Sequence, residues 1–242
     1  MAFDMWLAIA AFFAGGIASV TGFGIGSILT PLLSIEIGTR VAVAAVSIPH
    51  ALATGLRFWL LRSHVDRQVL LHFGLLSAVG GVVGALLHSV ASNSVLSGIF
   101  AVLLLFAGAA EMTGKARDLR FGRRMSWIVG ALSGLLGGLV GNQGGIRSAA
   151  LLGFDINRQA FVATATGIGL IVDAARLPIY LASEFDELAR IWPTILLLSV
   201  AVLLGTVAGE RTLHRLPEKW FRRAVAMVLL ALGAFMLYRA VS

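Results

Sequence analysis

The chain of 242 residues has no cysteine, and only 13% of its residues are charged. The absence of cysteine excludes disulfides, thiol relays and thiolate metal sites. An ordinary soluble domain is about 25% charged, so the low charge and an apolar content of 58% exclude that class. The motifs of metalloproteases, P-loop NTPases and serine hydrolases are also missing from the sequence. We therefore expect a protein that is not an enzyme and that needs no cofactor or metal.

Long apolar stretches, in contrast, are abundant. Most are about 20 residues long with almost no charge, which is the length of a helix that crosses a membrane. The predicted apolar segments are 5–35, 41–61, 68–90, 95–112, 126–154, 159–182, 191–209 and 220–238. No basic residue precedes the first segment, so we expect it to stay in the mature fold rather than to act as a signal peptide. The whole chain, 1–242, is predicted to be one transmembrane domain.

Basic residues lie mainly in the short loops between these segments, where they indicate membrane topology. They lack the accessible, aromatic-flanked arrangement of a nucleic-acid-binding surface, so we expect no nucleic-acid partner. The positive-inside rule places the loop 62–67, the linker 114–125 and the loop 211–223 on the inner face. The uncharged loop 91–94 and the acidic loop 184–187 are then predicted on the outer face.

Two glycine-rich stretches occupy similar positions in the two halves of the chain. They run from Gly22 to Leu33 and from Gly141 to Leu152, and a displacement of about 119 residues aligns them. The same displacement aligns Arg57 with Arg176, and it becomes 125 in the later segments. The sequence therefore contains an internal repeat. Interrupted apolar segments at matching positions in two halves indicate the binding site of a transporter.

The predicted fold is all-α, with two inverted repeats. Repeat 1 covers about 5–113 and repeat 2 about 126–240, with the basic linker between them. Each repeat contains one glycine-broken segment, either re-entrant or a pair of half-helices, and three transmembrane helices. This arrangement places the basic loops on one face, whereas eight simple crossings would divide them between both faces.

Arg57 and Arg176 are candidates for binding an anion, because they lie inside predicted membrane helices at matching positions. An arginine in hydrocarbon costs at least about 2.5 kcal/mol, so it usually faces a cavity or the protein interior. Arg57 could instead extend to the nearby interface. Arg176 could form an internal ion pair with Asp173, which lies one turn earlier.

The glycine-broken segments offer a second way to bind an anion. A helix that begins inside the membrane presents free backbone N–H groups and the positive end of its dipole. The predicted binding residues of the two breaks are Gly24, Gly26, Ser27 and Thr30, together with Asn142, Gln143, Gly144 and Gly145. Arg147 follows the second break and is a further candidate, although it could also extend to the inner surface. The glycines could alternatively serve only for close helix packing.

His50 and Asp173 are the candidates for coupling transport to protons. A histidine can change its charge near neutral pH, and His50 follows Pro49 within a membrane helix. Each candidate has a structural alternative, which is a hydrogen-bonded packing role for His50 and an ion pair with Arg176 for Asp173. The two residues with a serine could also form a membrane-embedded hydrolase.

The glycine-rich stretches resemble those of the sulfite exporter TauE/SafE family, also called the toluene sulfonate uptake permease family. The family repeats a glycine-rich break, a run of small residues and Pro-Leu-Leu, as in 22–33, and then a segment similar to 43–47. The second copy is 141–152, followed by 162–166. The resemblance covers nearly the whole chain.

This resemblance implies a multi-pass transporter of the bacterial inner membrane that works by alternating access. The implied substrate is a small sulfur-containing or organic anion, such as sulfite, sulfoacetate or another sulfonate. Protons are the candidate coupling ion. A passive anion channel is the alternative, with the membrane-embedded hydrolase as a third hypothesis.

Overall fold

The computed structural model describes residues 2–21, 24–113, 123–142, 144–151, 154, 156–212 and 218–241. Every regular element in this part of the chain is a helix. In order, they are α1 (Ala2–Thr21), α2 (Ile25–Leu61), a 3-10 turn (Arg62–His64), α3 (Arg67–Val90), α4 (Asn93–Thr113), α5 (Arg123–Val140), α6 (Gly144–Leu151), α7 (Arg158–Ser183), α8 (Phe185–Arg190), α9 (Trp192–Thr212) and α10 (Glu218–Val241). The prediction of an all-helical fold is confirmed.

Seven of the described helical segments are long and apolar enough to cross a membrane. They are Asp4–Thr21, Ile25–His64, Arg67–Val90, Asn93–Thr113, Gln159–Ser183, Trp192–Gly209 and Arg223–Val241. α5 contributes a shorter apolar stretch, Met125–Val140. Large apolar side chains such as Leu75 and Val79 of α3 are exposed on the outside of the molecule, where hydrocarbon would surround them. These features are those of a multi-pass membrane protein.

Both predicted interruptions coincide with gaps between helices. α1 ends at Thr21, and α2 begins at Ile25 after Gly24, which has a φ of 134°. α5 ends at Val140, and Gly141 has a φ of 74°. Glycine adopts these positive φ values readily because it has no Cβ. The glycines therefore let the chain leave the helical path at both breaks.

α2 is itself kinked at Gly38, where φ is 76° and ψ is 160°. The sequence predicted a short connection here, and the structure replaces it with a single non-helical residue inside a long helix. The backbone N–H of Arg40, two residues later, donates to Oδ1 of Asn93 at the start of α4, at 2.8 Å. α4 thus holds the kink in place.

Helices from the two halves of the chain pack in matched pairs. α1 packs against α9 and α3 against α5, while α4 packs against α10 and α2 against α7. Glycines allow close approach of the backbones: a Cβ on Gly84 would collide with the carbonyl of Leu135, and one on Gly205 with the carbonyl of Phe12. Both glycines therefore serve close helix packing.

α2 and α7 run in opposite directions at the centre of the molecule. Arg40, just after the kink of α2, forms an ion pair with Glu184 at the C-terminal end of α7, with 2.8 Å between Nε and Oε1. At the opposite end, the backbone N–H of Asp66, which follows α2, donates to Oγ1 of Thr164 near the start of α7, at 2.9 Å. These two antiparallel helices carry most of the charged residues that the sequence singled out.

Candidate functional site

The two glycine breaks lie against each other in the interior. A Cβ on Gly26 would lie 2.9 Å from the carbonyl oxygen of Gly141. A Cβ on Gly141 would in turn lie 3.3 Å from Nη1 of Arg176 and 3.5 Å from a methyl group of Val43. The absence of side chains thus brings together the first break, the second break and one of the predicted arginines.

Arg176 is almost fully buried, and its guanidinium is held by several groups. Nη2 lies 2.8 Å from Oδ1 of Asp173, and Nε donates to the same oxygen at 3.1 Å. Nη1 donates to the carbonyl of Gly137 at 2.6 Å, just before the second break. The hydroxyl of Tyr180, a residue that the sequence did not single out, donates to the neighbouring carbonyl of Gly138. The ion pair that the sequence offered as an alternative for Arg176 is present.

Asp173 also contacts the first half of the chain. Its second carboxylate oxygen, Oδ2, lies 2.7 Å from Nδ1 of His50 on α2. The side chain of His50 is 17% exposed, whereas that of Asp173 is 1% exposed. His50, Asp173 and Arg176 therefore form a continuous chain of polar contacts between the two halves. The sequence proposed both coupling residues but gave no sign that they touch.

Arg147, on α6, differs from Arg176 in its hydrogen bonding. It is only 5% exposed, yet Nε and Nη1 of its guanidinium find no hydrogen-bond partner in the described part of the chain. It interacts electrostatically with Asp173, Arg57 and Arg176. Because Asp173 already contacts both Arg176 and His50, it cannot fully compensate the charge of Arg147.

The other predicted residues differ in burial and in hydrogen bonding. Arg57 of α2 is buried and lies within electrostatic range of Arg147. The amide nitrogen of Asn142 is buried and also lacks a hydrogen-bond partner within the described residues. A Cβ on Gly145 would meet open space. Of the other predicted residues, Gly24 precedes α2, Gly26, Ser27 and Thr30 are buried in its first turns, Gly144 begins α6, and Gln143 lies outside the described residues.

The chemistry of Arg147, Asn142 and Arg57, called here the cation cluster, favours an anion. The unpartnered atoms of Arg147 and Asn142 are all nitrogen atoms that carry N–H groups. Hydrogen-bond donors without acceptors suit a ligand that carries lone pairs. Hydrogen bonds between a guanidinium and an oxyanion are among the strongest in proteins. A buried charge is costly unless it is paired. A small oxyanion beside Arg147 would therefore stabilise the cation cluster.

An all-helical membrane protein with interrupted helices around a buried cation has the features of a membrane transporter. The chain belongs to the sulfite exporter TauE/SafE family, whose model matches residues 7–236. No curated protein and no solved structure matches the chain. The family confirms the resemblance found in the glycine-rich stretches. Membership implies a membrane protein that transports a sulfur-containing anion.

Proposed function

We propose that the protein is a secondary transporter of the bacterial inner membrane that moves sulfite, sulfoacetate or another small sulfonate by alternating access. The observation that carries this proposal is Arg147, a buried guanidinium with two nitrogen atoms that lack hydrogen-bond partners in the described residues. An arginine placed at this depth is costly and typically marks a substrate or ion pathway.

Within this proposal, the anionic head group binds Arg147 and the side-chain amide of Asn142. The backbone N–H groups at the start of α6, at Gly144 and Gly145, contribute to binding the same ligand, because a helix N-terminus attracts negative charge. Arg57 and Arg176 add positive potential from α2 and α7. The first break, with Gly24, Gly26, Ser27 and Thr30, and Gln143 of the second break complete the proposed site.

Alternating access requires two bodies that move around a fixed site, and inverted repeats supply them. Two observations support this organisation. α2 and α7 are antiparallel, as the contacts of Arg40 with Glu184 and of Asp66 with Thr164 require. The packing is also symmetric between the repeats. α1 of the first repeat corresponds to α5 of the second, and α3 corresponds to α9, so the pair α1 and α9 is equivalent to the pair α5 and α3.

Proton coupling is proposed to use His50 and Asp173. Their contact of 2.7 Å links a group that can change its charge to the carboxylate that pairs with Arg176. A proton on the imidazole would strengthen its attraction for Asp173 and so draw that carboxylate away from the arginines. Protonation would therefore change the positive potential at the proposed anion site.

The test is uptake of radiolabelled sulfite and sulfoacetate into liposomes that contain the purified protein. We expect saturable uptake and acceleration by unlabelled anion on the opposite side, since a transporter binds its substrate before each conformational change. A passive channel would show neither property, and a hydrolase would return a chemically changed product. Either result would contradict the proposal.

The site is tested in the same liposomes with Arg147→Gln. Loss of charge-assisted hydrogen bonds of about 1.5–3 kcal/mol should raise the half-saturating anion concentration roughly 10- to 100-fold. Arg147→Lys should fall between parent and Arg147→Gln, because an ammonium keeps the charge but not the planar donor group. The matched control is Arg190→Gln, which removes an exposed arginine paired with Glu187 on α8. Parental uptake by Arg147→Gln would exclude Arg147 from the site.

A further inference from the structure

We propose that Gly169 of α7 is a positioning residue, which leaves the space that the guanidinium of Arg147 needs to face the anion. This inference rests on the proposed function, because it concerns the same anion site. A Cβ added to Gly169 would lie 2.7 Å from Nη1 of Arg147, 3.4 Å from Cζ and 3.6 Å from Nη2. These three nearest atoms all belong to one guanidinium, so Arg147 lies directly against the backbone of α7.

The position of Gly169 on α7 explains why this space matters. Asp173 follows it by four residues and Arg176 by seven, so the three lie on one face of the helix. Arg147 therefore comes within electrostatic range of Asp173 without a hydrogen bond to it. A side chain at 169 would push the guanidinium away from this face of α7.

The first repeat has different residues at the two corresponding positions. The displacement of about 119 residues aligns Gly169 with His50 and Arg147 with Ile28. The second repeat thus combines a large cation on one helix with a glycine on the other, whereas the first combines an isoleucine with a large imidazole. An arginine next to a glycine is the pattern expected where a side chain needs space that its neighbour must not fill.

In Gly169→Ala, the new methyl group would displace the guanidinium of Arg147, which is the end of a flexible side chain, and no backbone atom. The fold should therefore accept the methyl group, while the guanidinium moves by several tenths of an ångström. In enzymes, a misplacement of about 1 Å can lower the reaction rate up to about 100-fold, and we expect binding by a positioned guanidinium to be sensitive in the same way. We expect anion affinity to fall roughly 10-fold in Gly169→Ala, with little change in thermal stability.

Gly167 provides a matched control on the same helix. A Cβ there would lie 2.9 Å from the tips of Leu70 and Phe58, a similar clash with side-chain atoms that does not involve Arg147. Gly167→Ala should therefore disturb packing on the other side of α7 to a comparable extent. It should leave anion affinity unchanged if the effect of residue 169 acts through the guanidinium.

The experiment measures binding of sulfite and sulfoacetate to the purified full-length protein by titration calorimetry. The variants are Gly169→Ala, Gly167→Ala, Arg147→Gln and the double variant with Gly169→Ala and Arg147→Gln. We expect Gly169→Ala to weaken binding in the parent and to have no further effect once Arg147 is glutamine. A merely structural glycine would weaken binding equally in both backgrounds.

The outcomes separate this inference from the proposed function. If Arg147→Gln weakens binding but Gly169→Ala binds like the parent, the positioning role is wrong and the anion site stands. Equal weakening by Gly167→Ala, or by Gly169→Ala in the glutamine background, also overturns the positioning role. If the parent binds neither anion, or if Arg147→Gln binds normally, the proposed site fails and the role of Gly169 fails with it.

Discussion

At the scale of single residues, Asp173 serves two partners from a buried position. One carboxylate oxygen pairs with Arg176 and the other contacts His50. Removing one member of a buried ion pair typically costs 3–5 kcal/mol, because it leaves the other charge uncompensated. We expect Arg176→Ala to lower thermal stability strongly. The double change Asp173→Ala with Arg176→Ala should recover much of that loss in a melting experiment, and a double variant no more stable than the single one would contradict this account.

The same double variant distinguishes Arg176 from Arg147 as the residue that contacts the anion. The guanidinium of Arg176 already donates to Asp173 and to the carbonyl of Gly137. We therefore expect the double variant, once shown to be monodisperse, to bind sulfite within a few-fold of the parent. A loss as large as that of Arg147→Gln would instead assign direct binding to Arg176.

His50 provides the residue-scale test of proton coupling. His50→Gln can still donate a hydrogen bond to Asp173, but it cannot take up a proton. We expect it to remove the dependence of anion uptake on a pH gradient while preserving anion binding. The control is His72→Gln, since His72 is an exposed histidine of α3 whose imidazole lies 2.9 Å from the carbonyl of Gln68 and packs against the ring of Trp127. Parental coupling in His50→Gln would show that His50 serves packing alone.

At the scale of helices, the contact of α3 with α5 depends on glycine. A Cβ on Gly84 would meet the carbonyl of Leu135 and lie 2.8 Å from the amide nitrogen of Leu139, both backbone atoms that cannot turn aside. We expect Gly84→Ala to destabilise the fold by about 1–3 kcal/mol, as overpacking does. Gly98→Ala is the control, because its new Cβ would lie 3.7 Å from the Cβ of Ala240, which is an ordinary van der Waals contact. Equal melting temperatures for the two variants would contradict the close-packing account.

The positions of the helices were predictable because their signals are local. Glycines with positive φ at 24 and 141 break the helices where the sequence indicated. Charged loops and apolar runs likewise indicated most helix ends. The kink at Gly38 was predicted only as a short connection, because sequence alone cannot show that helical hydrogen bonding resumes after one residue.

The candidate site was predictable in its residue types but not in its contacts. Arg147, Asn142, His50 and Asp173 were all selected from charge, polarity and position within apolar segments. The contact of His50 with Asp173 spans 123 residues. The proximity of Arg147 to Gly169 likewise depends on how α6 docks against α7. Such distances are set by tertiary packing, which no spacing rule encodes.

At the scale of the whole molecule, two groups of contacts define opposite ends. Arg40 and Glu184 mark one end, and Asp66 and Thr164 mark the other. The acidic segment 184–187, which the structure places largely in α8 rather than in a loop, and the loop 91–94 thus lie together at the first end, because Asn93 contacts Arg40 as well. This distribution agrees with the positive-inside expectation that these two loops share the outer face.

The inverted-repeat proposal therefore predicts that the linker near Arg120 and the loop near Arg215, both outside the described residues, share the inner face. The chain has no cysteine, so Arg120→Cys and Arg215→Cys can each be labelled selectively. A membrane-impermeant thiol reagent applied to intact cells should leave both unmodified and should label Ser92→Cys and Asp186→Cys, which are exposed at the predicted outer face. Labelling of all four after lysis provides the control. Opposite accessibility of positions 120 and 215 would mean an odd number of crossings between them, and two inverted repeats joined by an inner linker could not then describe the chain.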